Sequence, residues 1–171
     1  TTLLEKEEDS TEAMYQYALD GSTFYATEFA DYQSKDGNYR KYRVAVVEGK
    51  PYLRHLIISN NWLIHSSSRE FMKENPQLQQ EEAEQLESFE ETIQPKILDT
   101  IHAITRELKL DYFGIDCNID EDGKILAFEI NANMNILIIN QAAPNIWQKP
   151  IARITQHIGN LVVRKAQQNV N

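Results

Sequence analysis

Apolar and polar residues alternate through residues 39–47, the two-residue period of a strand that buries one face, and the largely apolar run 52–59 reads as a second strand. Glu48-Gly49-Lys50 joins the two runs, so they pair as a hairpin. In the first run Tyr39, Lys41 and Arg43 fall on one side and Tyr42, Val44 and Val46 on the other, which leaves one face cationic. Upstream, a helical or loose opening at 11–19 and a turn at Asp20-Gly21-Ser22 precede residues 23–29, whose aromatic and β-branched content predicts another strand. A polar loop follows at 31–38, with Asp36-Gly37 within it. Downstream, Trp62, Ile64 and His65 are expected to extend the sheet before the serine turn at 66–68.

The period then lengthens to that of helices. Asn75-Pro76 opens a segment in which eight glutamates lie between Glu70 and Glu91, while Leu86, Phe89 and Ile93 supply a buried stripe; the glutamates read as a solvated face. Pro95 interrupts or restarts the helix, and Ile97, Leu98, Ile101, Ile104 and Leu108 repeat at helical spacing up to Leu110. A last helix is expected to open at Pro150 with Ile151, Ile154, Ile158, Leu161 and Val162 inward, after a loop through Asn133, Asn135 and Pro144. Together these elements predict an α+β fold, an antiparallel sheet with helices packed on one face and polar residues gathered on the other.

Between the last two helices lies a second predicted hairpin, 114–131, turning at Asp122-Gly123. A two-residue turn there sets Ile115 against Ile130, Cys117 against Phe128 and Ile119 against Leu126 on an apolar face. On the other face Asp116 meets Glu129 and Asn118 meets Ala127, with Asn131 one step beyond Glu129. Like charges placed opposite one another in a sheet are unfavourable by up to about 1 kcal/mol, so the acidic pair calls for a cation or for water. Asp116, Glu129 and Asn131 form an oxygen-only set of the kind Mg²⁺ takes, its remaining positions filled by water and substrate phosphates. A competing pattern overlaps this one: Asn118, Asp120, Asp122, Gly123, Ile125 and Glu129 match the spacing of a calcium loop, but strand-like flanks and an Asn in its first position argue against it.

Composition narrows the function classes. The 171 residues fit one main domain, expected at 23–171, with 1–22 as an opening segment of a longer polypeptide. The net charge of −9 argues against nucleic acid or an anionic membrane as partner of the whole surface. Cys117 is the single cysteine and falls on the hairpin's apolar face, which fits a buried thiol and a reducing, cytoplasmic location; no apolar run approaches the length of a spanning helix. His55, His65, His102 and His157 share no ligand spacing, and only His55, beside Arg54, invites a functional test. Trp62 and Trp147 read as core or rim aromatics.

Gly114-Ile115-Asp116 followed by Phe128-Glu129-Ile130-Asn131 resembles the metal-binding pattern in the carboxyl-terminal half of the ATP-grasp superfamily, glutathione synthetase-like carboxylate–amine ligases included. The segment 25–31 is similar to the family's hinge strand, which implies adenine contacts from Glu28, Phe29, Ala30 and Asp31, and 39–47 is similar to the strand that follows, with Lys41 reaching nucleotide. The resemblance implies ATP and Mg²⁺ (or Mn²⁺) as cofactors, Asp116, Glu129 and Asn131 as metal ligands, and Arg43 and Arg54 as catalytic residues stabilising phosphoryl transfer to a carboxylate substrate. An acyl-phosphate is then opened by an amine. The glycine-rich loop and lysine of the family's other half are missing from this chain and are expected upstream in the same polypeptide; the fragment alone is expected to be inactive. Ala132-Asn133-Met134-Asn135 also departs from the small residues and proline usual after the Asn. The alternative is a non-catalytic nucleotide- or metal-binding regulatory module.

Overall fold

The computed structural model describes residues 25–137 and 145–168 continuously, together with positions 3, 4, 11–13, 15 and 21. Two compact units divide the chain, 1–31 and 32–171. In the first, 11–13 and 15 are helical, but 25–30 form no strand, which corrects the strand expected at 23–29 over its described part. Residues 25–31 are exposed throughout, so the aromatic content that suggested a strand meets no sheet to pair with.

In the second unit β1 (Tyr39–Val47) and β2 (Lys50–Ser59) form the first hairpin, and β3 (Tyr112–Ile119) and β4 (Ile125–Asn131) the second. All pairings are antiparallel, and the sheet order is β2-β1-β3-β4. Between the hairpins run a short 3₁₀ turn at Ser66–Ser68 and three helices, α1 (Arg69–Glu74), α2 (Pro76–Thr92) and α3 (Gln94–Leu108). Pro76 and Pro95 each stand in the first turn of their helix, where a missing N–H removes no internal bond. Pro95 therefore starts α3 where the α2 pattern ends. Residues 60–65 bend away instead of extending the sheet.

One sheet face, built from Tyr42, Val44, Val46, Leu53, Leu56, Phe113, Ile115 and Cys117, is sealed by Met72, Leu78, Leu86, Phe89, Ile97 and Ile101 of the helices. This is the main core. The last helix, α4 (Gln148–Gln168), does not join it: Ile154 and Leu161 pack with Ala45, Val47, Tyr52 and Ile136 on the opposite face. The expectation of helices on one face is therefore corrected to helices on both. Val162, expected inward, is 61% exposed, because Ile154, Ile158 and Leu161 already form a stripe that faces the sheet. Among the described residues no helix is long and apolar enough to cross a membrane.

The second hairpin turns differently from the two-residue reading. Asp120 and Lys124 are the last bonded pair (Asp120 N–H to Lys124 O, 3.1 Å), leaving a three-residue loop with Gly123 at φ 86°. Asp120 Oδ1 accepts the N–H groups of Asp122 and Lys124, and a Cβ on Gly123 would lie 2.6 Å from Lys96 Cβ. The odd loop shifts the pairing, so Cys117 faces Ala127, Asn118 faces Leu126 and Ile119 faces Ile125, in place of the expected partners. A β-bulge at Phe128 then shifts it back, and beyond it Asp116 faces Glu129, Ile115 faces Ile130 and Gly114 faces Asn131, as expected.

Candidate functional site

Residues directly opposite in antiparallel strands share a face, and here the register aligns one row across the whole sheet: His55 of β2, Arg43 of β1, Asp116 of β3 and Glu129 of β4. With strands about 4.8 Å apart, the row spans roughly 14 Å at the backbone. Within it cationic Arg43 is followed by acidic Asp116 and Glu129. The next row holds Tyr52, Ala45, Gly114 and Asn131. There the segment after β4 folds over the sheet: Met134 packs on Gly114 so closely that an added Cβ would meet Met134 Sδ at 2.0 Å and Cβ at 2.6 Å. Tyr112 Oη donates to Met134 O (2.6 Å) and Arg54 Nε to Ile136 O (2.5 Å), fixing residues 134–136 as a strap. On the other side of the charged row Lys41 Nζ donates to Ile64 O (2.8 Å).

Asp116 is 5% exposed and accepts a bidentate pair from Arg43, Nε to Oδ1 and Nη2 to Oδ2, both at 2.7 Å. Lys41 Nζ stands 3.8 Å from the same Oδ2. The bond to Asp116 raises the Arg43 pKa, whereas burial lowers that of Lys41 despite Asp116. Glu129 is exposed on the edge strand; its Oε1 accepts the Asn131 amide (3.1 Å), while Asn131 Oδ1 accepts Asn133 N–H (2.8 Å). Burial, then Arg69, Arg54, Arg43 and Lys41, push His55 well below its ordinary 6.5, so the imidazole is neutral near pH 7.

The structure thus brings Lys41, Arg43, Asp116, Glu129 and Asn131 onto one face. Arg54 lies on the same face as the extra residue of a bulge in β2, where the pairing passes from Arg43–His55 to Val44–Leu53, and its head group turns to the strap. Glu28, Phe29, Ala30 and Asp31 belong to the unit 1–31 and carry no strand from which backbone groups could line an adenine. The calcium-loop pattern finds no loop: Asn118 lies within β3 and is buried, its amide on Arg40 O (3.2 Å), Asp120 serves the turn, and strands flank the segment. Cys117 is buried and its thiol pushed up to about 12, which leaves it inert.

A second charged group escaped the sequence reading. Glu82 of α2, taken there as part of the solvated glutamate face, is 1% exposed. Its carboxylate receives Arg69 Nη1 (3.0 Å) and Nη2 (3.2 Å), Trp147 Nε1 (2.8 Å) and the Leu56 N–H (3.2 Å), while Arg69 stacks on the Trp147 ring at 4.8 Å. The signal was present, since Glu82 sits four residues from both Leu78 and Leu86 on the buried stripe.

A hard divalent cation suits the donor set of Asp116, Glu129 and Asn131, which is oxygen throughout and lies on adjacent strands. Among the described residues no three His, Cys, Asp or Glu side chains converge as a metal site; the third donor here is an amide, and Arg43 already supplies positive charge to Asp116. Comparison with family models, with curated proteins and with solved structures returned no match for the chain.

Proposed function

We propose that this chain is the nucleotide- and Mg²⁺-binding half of an ATP-dependent carboxylate–amine ligase of ATP-grasp type, with its phosphate-gripping half elsewhere in the same polypeptide. The observation that carries the reading is the Arg43–Asp116–Glu129 row with Asn131 beside it, on the sheet face between the strap and Ile64. Asp116, Glu129 and Asn131 would hold the metal, which supplies charge neutralisation on phosphate oxygens. The chain's own cations do the rest. A guanidinium fork fits phosphate as well as carboxylate, so Arg43 exchanges Asp116 for a phosphoryl oxygen when nucleotide arrives, freeing the carboxylate as it does so. Lys41, half-buried and bonded to Ile64 O, adds a fixed positive charge next to that position. Both act on charge that builds up during phosphoryl transfer, the term that dominates catalysis when dipoles and ions are already in place.

Isothermal titration of MgATP into the natural polypeptide that carries this chain tests the reading. Saturable binding that disappears in Glu129→Gln, with the fold unchanged, is the expected result. Equal MgATP affinity in Glu129→Gln and the unmodified protein removes the metal site and the ligase reading with it.

A further inference from the structure

Arg54 is 5% exposed, and a buried cation ordinarily lies against a carboxylate, because removing an uncompensated charge from water is expensive. Among the described residues none stands within ion-pair distance of it: the bridges use Lys35, Arg40, Lys41, Arg43, Arg69, Lys73, Arg153, Arg164 and Lys165. Its single hydrogen bond among those residues runs from Nε to Ile136 O, which leaves the two Nη groups without an acceptor among the described residues. The one fully buried side-chain nitrogen or oxygen without a partner among the described residues is Gln85 Oε1, so neither Nη group is both fully buried and unpartnered among them.

The neighbouring charges balance without Arg54. Glu82 matches Arg69, and Asp116 and Glu129 match Arg43 and Lys41, so one positive charge remains. Burial, together with Arg69 and Arg43, holds Arg54 down to about 10, still protonated at neutral pH. His55 is the next residue and shares the face, adding polar nitrogen without a charge. We propose that Arg54 is the receptor for a carboxylate of a small organic acid, a monoanion gripped by the Nη1 and Nη2 edge while Nε stays on Ile136 O. The site is distinct from the metal row: Arg54 lies two strands from Asp116, about 10 Å at the backbone, with its head group turned to the strap. It does not depend on a nucleotide being bound.

Arginine ¹H–¹⁵N spectra of this chain, recorded while sodium acetate replaces sodium chloride at constant ionic strength, test the proposal, with sodium phosphate in a parallel titration. The expected result is a saturable shift of one guanidinium signal with acetate, the signal being identified by its loss in Arg54→Lys. Acetate should raise the melting temperature of the unmodified protein and of Glu129→Gln alike, and that rise should vanish in Arg54→Gln. Should Arg54→Gln fail to fold, the spectra of the unmodified chain decide. No saturable shift of the Arg54 signal, a rise that persists in Arg54→Gln, or loss of the response in Glu129→Gln overturns the proposal, and a stronger response to phosphate than to acetate overturns the choice of carboxylate.

Discussion

The two faces of the sheet treat charge in opposite ways. Beneath α1, α2 and α3 the face is apolar, and the carboxylate of Glu82, buried there, has its oxygens met by a guanidinium, an indole N–H and a backbone N–H. On the opposite face Asp116 is held by Arg43, Arg54 has a single backbone carbonyl among the described residues, and Glu129 stands exposed at the sheet edge. A polar group that is completely satisfied by the protein holds the fold together; one left with spare donors or an exchangeable partner is available to a ligand. The same strand carries both kinds: Leu56 offers its N–H to Glu82, two residues after Arg54.

Breaking the satisfied side should have the largest effect. Glu82→Ala leaves Arg69 beside an apolar core and is expected to lower stability by about 3–5 kcal/mol in chemical denaturation. The strap comes next. In Gly114→Ala the new Cβ displaces Met134, with an expected loss of about 1–3 kcal/mol. A crystal structure of that variant should show residues 134–136 lifted from the sheet. On the incompletely satisfied side the effect on folding should be small and the effect on binding large. Glu129→Gln, at an exposed edge position, is expected to change stability by less than about 0.5 kcal/mol. Arg43→Gln sharpens the contrast, since it removes the competitor for Asp116: metal alone should bind more tightly than to the unmodified chain, and MgATP more weakly, in paired calorimetric titrations.

A further effect is one of pH. The folded His55 refuses a proton that the unfolded one accepts below its ordinary 6.5. The unfolded state then binds more protons, so stability falls as pH drops from 6.5 towards the folded value, by up to about 1.4 kcal/mol for each unit between the two. His55→Gln should flatten that part of the curve when urea midpoints are compared between pH 7 and pH 5.

The alternation at 39–47, the turn residues Glu48-Gly49-Lys50 and Asp122-Gly123 that mark the two hairpins, and the helical repeats at 76–92 and 94–108 made these elements legible. The facing of Asp116 and Glu129 was legible too, though through two offsets that cancel, an odd loop at 121–123 and a bulge at Phe128. Local pattern does not report which side of a sheet a helix will take, so α4 was assigned to the wrong face. Nor does it report partners distant in sequence: Arg43 and Asp116 are 73 residues apart, Arg54 and Ile136 82, Trp147 and Glu82 65. The strand expected at 23–29 failed over its described part for a related reason, since β-propensity requires a neighbouring strand to satisfy it.

The most direct test of the account is paramagnetic broadening of backbone amide signals by Mn²⁺ in the presence of ATP. The row of Arg43, Asp116 and Glu129 as a metal–phosphate site predicts broadening centred on residues 116, 129 and 131, reaching Arg43 and absent in Asp116→Asn. Broadening centred instead on the turn at 120–124, or broadening that Asp116→Asn leaves unchanged, would contradict it.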